Sequence, residues 1–344
     1  MIRSLALLFF TALFSSPVLA QLDLSELIKK EQLSGVQLTW YNGRKFTQAQ
    51  DGEANTDLKS KVNANTIFQA ASLSKVVLAY ICLELANKKE LDLDLPLAQY
   101  YTYSRLAGDT LGKKITARMV LHHNSGLPNW TENPLKKTWA TSVLQTSFEP
   151  GSKWKYSGEG FVFLQLAIQQ LLKKDLQQIA DSLVFKPLKM KNSSFVWKEI
   201  YDDHAAYGHN AKGEQIERTT FFLPNAAFSL TTTTTDYTLF LNALLAKHLK
   251  KLIENPISVA DLAKPEKAAQ AIYWGLGVGL QKNELGTAVW HWGDNGDFKA
   301  FFLVYPEKKL SLVCFVNHEN GLKLMQPLFN AFFGKASWPV VEWL

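Results

Sequence analysis

The sequence predicts an α/β protein: a mostly antiparallel sheet flanked by helices, with an all-helical part inserted mid-chain. Three observations carry this. Strand-like runs at hairpin spacing lie near both ends of the chain. Helical apolar patterns dominate between them. No internal repeat or long linker divides the 344 residues, of which 47% are hydrophobic, enough for a large core.

The elements follow in chain order. Residues 1–20 read as a secretory signal: Arg3 is the charged start, Leu5 to Phe14 the apolar middle, and Val18-Leu19-Ala20 the small-residue cleavage site. The apolar run is too short to span a bilayer. Residue 21 is Gln, so no lipid-modified cysteine is available there. The expected mature chain, 21–344, is exported to the periplasm or secreted as a single domain, with no integral membrane segment after processing. Its α/β part is expected from about 21–70 and 270–344, and its helical part from about 71–269.

Residues 35–50 hold β-rich runs around Asn42-Gly43, a hairpin signal. Residues 72–87 are apolar almost all round, as in a buried helix. Thr116 is placed to cap another helix. Phe161–Leu172 is helical by pattern, and Asp175-x-x-Gln178 reads as a capping box for a helix ending before Pro187. Thr231–Thr235 is β-branched and leads into a helix through Asp236. After about residue 270, "IYWGLGVGLQ", "AVWHWG", "KAFFLVYP" and "LSLVCFVNH" read as strands, and Leu322–Phe333 as a last helix.

The formal charge is +6, with lysines scattered in short pairs. No basic block is interleaved with aromatics, which argues against a nucleic-acid partner. Cys82 and Cys314 both sit in apolar stretches and read as buried free thiols.

Several motifs lead nowhere. Gly275-x-Gly277-x-Gly279 lacks the strand–loop–helix context of a dinucleotide loop and reads instead as close packing. Neither a Walker A loop, H-E-x-x-H, C-x-x-C nor G-x-S-x-G occurs. His204 and His209 with Asp202 and Asp203 match no standard metal-ligand spacing. His122-His123 are adjacent on an expected helix and point apart.

Three pieces carry chemistry. In "FQAASLSKVVLAY", Ser72 and Lys75 are i and i+3, neighbours on one helical face. Ser72 falls at a helix N-terminus, where the macrodipole favours a developing alkoxide. Burial would lower the Lys75 pKa and allow it to accept a proton. In "WKYSGEGF", alternation puts Trp154 and Tyr156 on one face and Lys153 and Lys155 on the other. A tyrosine with an ordinary pKa near 10 needs a nearby cation to act as a base, and Lys75 is the candidate. In "VWHWGDNGDFKAFF", His291-Trp292-Gly293 lies on a strand whose backbone N–H just past Gly293 is free to help form an oxyanion hole.

Together these pieces resemble the serine β-lactamase and penicillin-binding-protein superfamily, in particular its class C β-lactamase and esterase branch. That branch combines S-x-x-K at a helix start, Y-x-N, and a K-T-G or H-x-G strand motif. "ITARMVLHHNSGLPNW", "FEPGSKWKYSGEGF", "VFKPLKMKNSSF" and "NAAFSLTTTTTDYTLFLNALL" resemble further landmarks of the branch. The likeness covers roughly residues 35–330 and implies a β-lactamase/transpeptidase-like fold.

The resemblance implies Ser72 as acylated nucleophile and Lys75 with Tyr156 as the proton-transfer pair, either being the base. It implies an oxyanion hole from the backbone N–H groups of Ser72 and Asp294. His291 would hold a substrate carboxylate or tune the Tyr156 hydroxyl. No metal or organic cofactor is implied. Two departures weaken recognition of a β-lactam carboxylate: Gly158 stands where the family carries Asn, and His291 where other members carry Lys. The expected function is therefore an exported serine hydrolase acting through an acyl-enzyme on an ester, amide or D-amino-acid peptide. The alternatives are a true class C-like β-lactamase or D-Ala-D-Ala carboxypeptidase, and a non-catalytic penicillin-binding or sensor domain. The partner is a small-molecule or peptidoglycan-like substrate.

Overall fold

Alternate side chains of the run Lys299–Tyr305 point to opposite faces, and both faces are packed. Ala300, Phe302 and Val304 join one apolar cluster, while Phe301, Leu303 and Tyr305 join another. This is why the strand reads as an unbroken apolar run: a sheet covered on both sides has no solvent face to alternate with. The computed structural model describes residues 22–260 and 265–344. The expected signal segment, 1–20, lies outside the described residues.

A short helix, α1 (Leu24–Lys30), precedes the hairpin β1 (Gly35–Asn42) and β2 (Phe46–Asn55). The expected Asn42-Gly43 turn joins them. Gly43 has φ +85°, and Asn42 Oδ1 accepts the N–H groups of Arg44 and Lys45. Two-residue pairs follow, β3 (Ser60–Lys61) and β4 (Phe68–Gln69). Helix α2 (Ser74–Asn87) is buried from Ser74 to Leu83, as its all-round apolar pattern predicts. Thr116 caps α3 (Ala117–Leu121) through the Met119 N–H, and Ser157 caps α4 (Gly158–Leu172) through the Gly160 N–H. The Asp175–Gln178 capping box opens α5 (Leu176–Ala180). Strand β5 (Thr231–Thr232) pairs with β4 and leads through the Thr233 cap into α6 (Thr234–Ile253). Then come β6 (Ile257–Ser258), α7 (Glu266–Ala271), β7 (Ile272–Trp274), β8 (Gly279–Asn283), β9 (Gly286–Asp294), β10 (Lys299–Tyr305) and β11 (Leu310–Val316). Two helices close the chain, α8 (Met325–Phe333) and α9 (Pro339–Trp343).

Nine strands form one sheet in the order β3-β2-β1-β11-β10-β9-β8-β7-β6, with every pairing antiparallel. The first long strand thus pairs with the last, Val36 opposite Val316 and Asn42 opposite Leu310. Helices α1, α8 and α9 cover one face; α2 and the helical middle cover the other. Gln37 ties the second layer down. Its Oε1 accepts the Thr234 N–H at the start of α6, and its amide reaches Asn63 and Thr66 carbonyls.

Two expectations need correction. The sheet part begins before residue 270, because β6 supplies its edge and α6 packs on β1 and β11. The glycine alternation 275–279 is not within one strand: Gly275 and Gly277 lie in the turn between β7 and β8, and Gly279 opens β8. Close packing does explain it: a Cβ at Gly275 would lie 1.9 Å from the Leu252 carbonyl, and one at Gly279 within 2.4 Å of the Trp290 ring. Cys82 and Cys314 are buried and unpaired. Among the described residues, no helix is long and apolar enough to cross a membrane.

Candidate active site

On one side, the pairing of β9 stops at Trp290, opposite the first residue of β8, Gly279. Residues 291–294 therefore keep a free edge, and the 3₁₀ turn Ala71–Leu73 packs against it ahead of α2. Gly293 makes the approach possible. A Cβ there would lie 2.5 Å from the Ala70 carbonyl oxygen, 3.0 Å from Ala71 Cβ and 3.1 Å from the Ser72 nitrogen. The Asn295 N–H bonds to the Phe298 carbonyl on the β10 side. Strand alternation then turns the Asp294 N–H toward the free edge and Ser72. Ala71, just before Ser72, takes a left-handed φ of +48°, uncommon for a residue with a side chain. The Asp294 carboxylate is engaged by Lys299 and by the Gly296 N–H.

Ser72 is partly exposed; Lys75, one turn on, is buried. Lys75 Nζ donates to Ser72 Oγ at 3.0 Å and to the Ala227 carbonyl at 2.7 Å. No carboxylate joins them, so burial alone acts on the amine and brings its pKa down to about 7. Tyr156 lies beside it, its ring centroid 4.9 Å from Nζ. Burial pushes the Tyr156 hydroxyl well above the usual tyrosine range, with Ser72 opposing that shift. The hydroxyl lacks a hydrogen bond of full geometry, although Ser72 is close enough to act on it. Trp154 shares the buried face with Tyr156, while Lys153 is exposed and Lys155 reaches Ser147.

His291 is fully buried, with its ring centroid 6.3 Å from that of Tyr156. Nδ1 sits 2.6 Å from the Trp292 carbonyl, so it carries the proton and leaves Nε2 bare. Burial, then the charge of Lys75, lowers its pKa to about 3. A neutral, enclosed imidazole has no charge for a substrate carboxylate. Its position suits the other expected role, beside Tyr156.

Gly158 opens α4, its N–H accepted by both the backbone and side-chain oxygens of Asn129. A Cβ there would fall 2.4 to 2.8 Å from three atoms of the Trp130 ring. The indole thus occupies the space a side chain at 158 would need.

Sequence reasoning missed three participants. His123 stacks on Tyr156 at 4.2 Å and accepts the Ser157 N–H at Nδ1, so its proton is on Nε2. It lies beyond the end of α3 with φ +55°, not on a helix. Trp130 gave no signal beyond its place in "SGLPNW". Glu159 sits in the first turn of α4, where a solvent-facing acid would be ordinary. It is instead fully buried, in a two-pronged pair with Arg105 at 2.7 and 3.0 Å, and also accepts from Thr131 and the Trp139 indole. The pair locks the first turn after Tyr156 to the residue 131–142 segment.

A cavity of 170 Å³ opens beside Ser72, walled by Gln69, Asn129, Trp130, Leu135, Phe221 and Phe228 among others. Asp294 and Asp297 are its charged wall residues; among the described residues lining it there is no lysine or arginine. Burial raises the Asp297 pKa to about 6.

The chain resembles known proteins over most of its length. A family model described as beta-lactamase matches residues 22–329. Protein flp of Staphylococcus aureus (strain MW2) is 23% identical over 292 residues, covering 80% of this chain and 58% of the relative. The chain thus spans little more than half the length of that relative. Penicillin-binding protein 4* of Bacillus subtilis (strain 168) is 23% identical, covering 88% of this chain and 72% of the relative. Among solved structures, the beta-lactamase/D-alanine carboxypeptidase of Yersinia pestis superposes with TM-score 0.77 at 18% identity, over 91% of this chain and 97% of that one. The chain belongs to the beta-lactamase family of serine acyl-transfer hydrolases and has the β-lactamase/transpeptidase-like fold.

Proposed function

From that membership we propose an exported serine hydrolase that forms an acyl-enzyme on Ser72, with uncharged esters as its best substrates. One observation carries the reading: a buried Lys75, with no carboxylate beside it, donating to the hydroxyl of a partly exposed serine at 3.0 Å. A lysine that is half deprotonated at neutral pH is matched to general-base work.

In the proposed cycle, Lys75 takes the Ser72 proton as Oγ attacks the carbonyl carbon. The oxyanion lies against the Ser72 and Asp294 N–H groups, each worth about 3 kcal/mol in such a hole. Tyr156 keeps its proton in the resting enzyme. It gives that proton to the departing oxygen and recovers one from the Lys75 ammonium. Water then attacks the acyl-enzyme by the reverse relay. His291 and His123 hold the Tyr156 ring between them as positioning residues.

The cavity wall favours esters over the alternatives. β-Lactams and peptides ending in D-alanine both carry a carboxylate. The wall beside Ser72 offers Asp294 and Asp297 and no cation of its own, and His291 is neutral.

The test is a panel of p-nitrophenyl esters, a chromogenic cephalosporin and D-Ala-D-Ala peptides, with intact-mass analysis after a fluorophosphonate. Ester turnover and one adduct, lost in Ser72→Ala, are expected. Tyr156→Phe should lower kcat by at least about 100-fold. Cephalosporin turnover exceeding ester turnover would replace this reading with the β-lactamase alternative. No adduct at Ser72 would leave the non-catalytic one.

A further inference from the structure

A second hollow of 720 Å³ abuts the one beside Ser72, and Pro134, Leu135, Phe221 and Phe228 line both. Its size is that of a site for a sizeable organic group. Leu135, Phe222 and Leu223 stand at its rim with 59%, 74% and 82% of their surfaces exposed. Three large apolar side chains exposed around one hollow make the kind of apolar patch that marks a binding groove.

Several polar groups along the walls already have partners. Gln165 donates to Gln169 and the Pro224 carbonyl and accepts the Ala226 N–H. Asn225 accepts the Ala227 N–H, Trp139 donates to Glu159, and Tyr103 accepts from Arg105. Asp175 is the charged residue of the wall, and its carboxylate caps α5. What remains for an occupant is mostly hydrocarbon surface, with the hydroxyls of Tyr101, Ser104 and Thr220 at its margins.

We infer that this groove holds the hydrocarbon acyl chain of the ester, so that the preferred substrates are medium- to long-chain acyl esters. The inference rests on the ester reading above and deepens it. The direction follows from the proton relay. The leaving oxygen must meet Tyr156, which lines neither hollow. The part of the substrate in the groove is therefore the part that stays on Ser72.

Two measurements test this. The first is kcat/KM for p-nitrophenyl acetate, butyrate, octanoate and dodecanoate. It should climb by about fourfold per methylene over the first few carbons that enter the groove. Leu135→Ser and Leu223→Ser, both at exposed positions, should cut octanoate kcat/KM at least about tenfold more than that of acetate, the equivalent of about two methylenes. A flat chain-length profile, or a climb that both variants leave intact, overturns the inference. The second is binding of methyl octanoate to Ser72→Ala, followed by quenching of tryptophan emission from Trp130 and Trp139 in the walls. Saturable binding weakened by Leu223→Ser supports the groove; no binding refutes it whether or not the enzyme turns over. Failure of the ester reading shows separately, as cephalosporin turnover above ester turnover or as no fluorophosphonate adduct on Ser72.

Discussion

Lys75 has no carboxylate to hold its proton, and burial brings its pKa to about 7. The neutral amine is the competent base, so the rate must rise with pH. We expect kcat/KM to gain about tenfold per pH unit on the acid side, bend near neutrality and level off above it. A pH–rate profile bending near the ordinary lysine value would reassign the base. Ser74 separates structure from chemistry. Two residues on from Ser72, it is buried, donating to the Ala71 carbonyl and accepting the Leu230 N–H. Ser74→Ala should keep the Ser72 adduct yet cost about 1–3 kcal/mol in urea unfolding, the penalty of an orphaned buried donor. Gly158 is the opposite case. Restoring the family's asparagine puts a Cβ into the Trp130 ring. Gly158→Asn should destabilise by about 1–3 kcal/mol through overpacking and confer no cephalosporin turnover. In a double-mutant cycle with Trp130→Ala the two losses should be less than additive, since the second change empties the contested space.

Between elements, the decisive contact is β9 against the turn before α2, and Gly293 sets its distance. Gly293→Ala drives a methyl toward the Ala70 carbonyl and the Ser72 nitrogen. Both N–H groups of the proposed oxyanion hole then shift, and about a 100-fold fall in kcat is expected, with KM much less affected. A wild-type kcat in a folded Gly293→Ala protein would show that this contact does not shape the site. The same elements show what the sequence made legible. Caps at Thr116 and Asp175, the Asn42-Gly43 turn and the apolar run of α2 are local signals, and each element is found there. Short pieces gave no period to read: α9, the two-residue β6, and the left-handed Ala71. Ser72, Lys75 and Tyr156 were legible because their chemistry shows in residue type. His123 and Trp130 were not, because stacking on Tyr156 and filling the space over Gly158 are consequences of packing between segments distant in the chain.

Across the whole molecule, the chain closes on itself. β1, from the first fifty residues, lies between β2 and β11, and β11 joins it to β10. The helical middle cannot bury its apolar face without that sheet, since α2, α4 and α6 share one cluster with Phe302, Val313 and Phe315. The active site hangs on both parts. Ser72 and Lys75 come from the helical side and Gly293 from the sheet, and between them runs a chain of touching rings, Tyr156, Trp154, Trp274, Trp290, Trp292 and Trp343. Tryptophan emission therefore reports the junction, and far-ultraviolet circular dichroism reports the helices. If the two parts fold as one cooperative unit, both signals change at the same urea midpoint with the same slope. If the helical part stands alone, tryptophan emission changes first and ellipticity follows. A chain ending before Leu310 sharpens the test. It lacks the strand that bridges β1 to β10, and it should lose helical ellipticity and the sheet together, although every helix from α2 to α6 is still encoded.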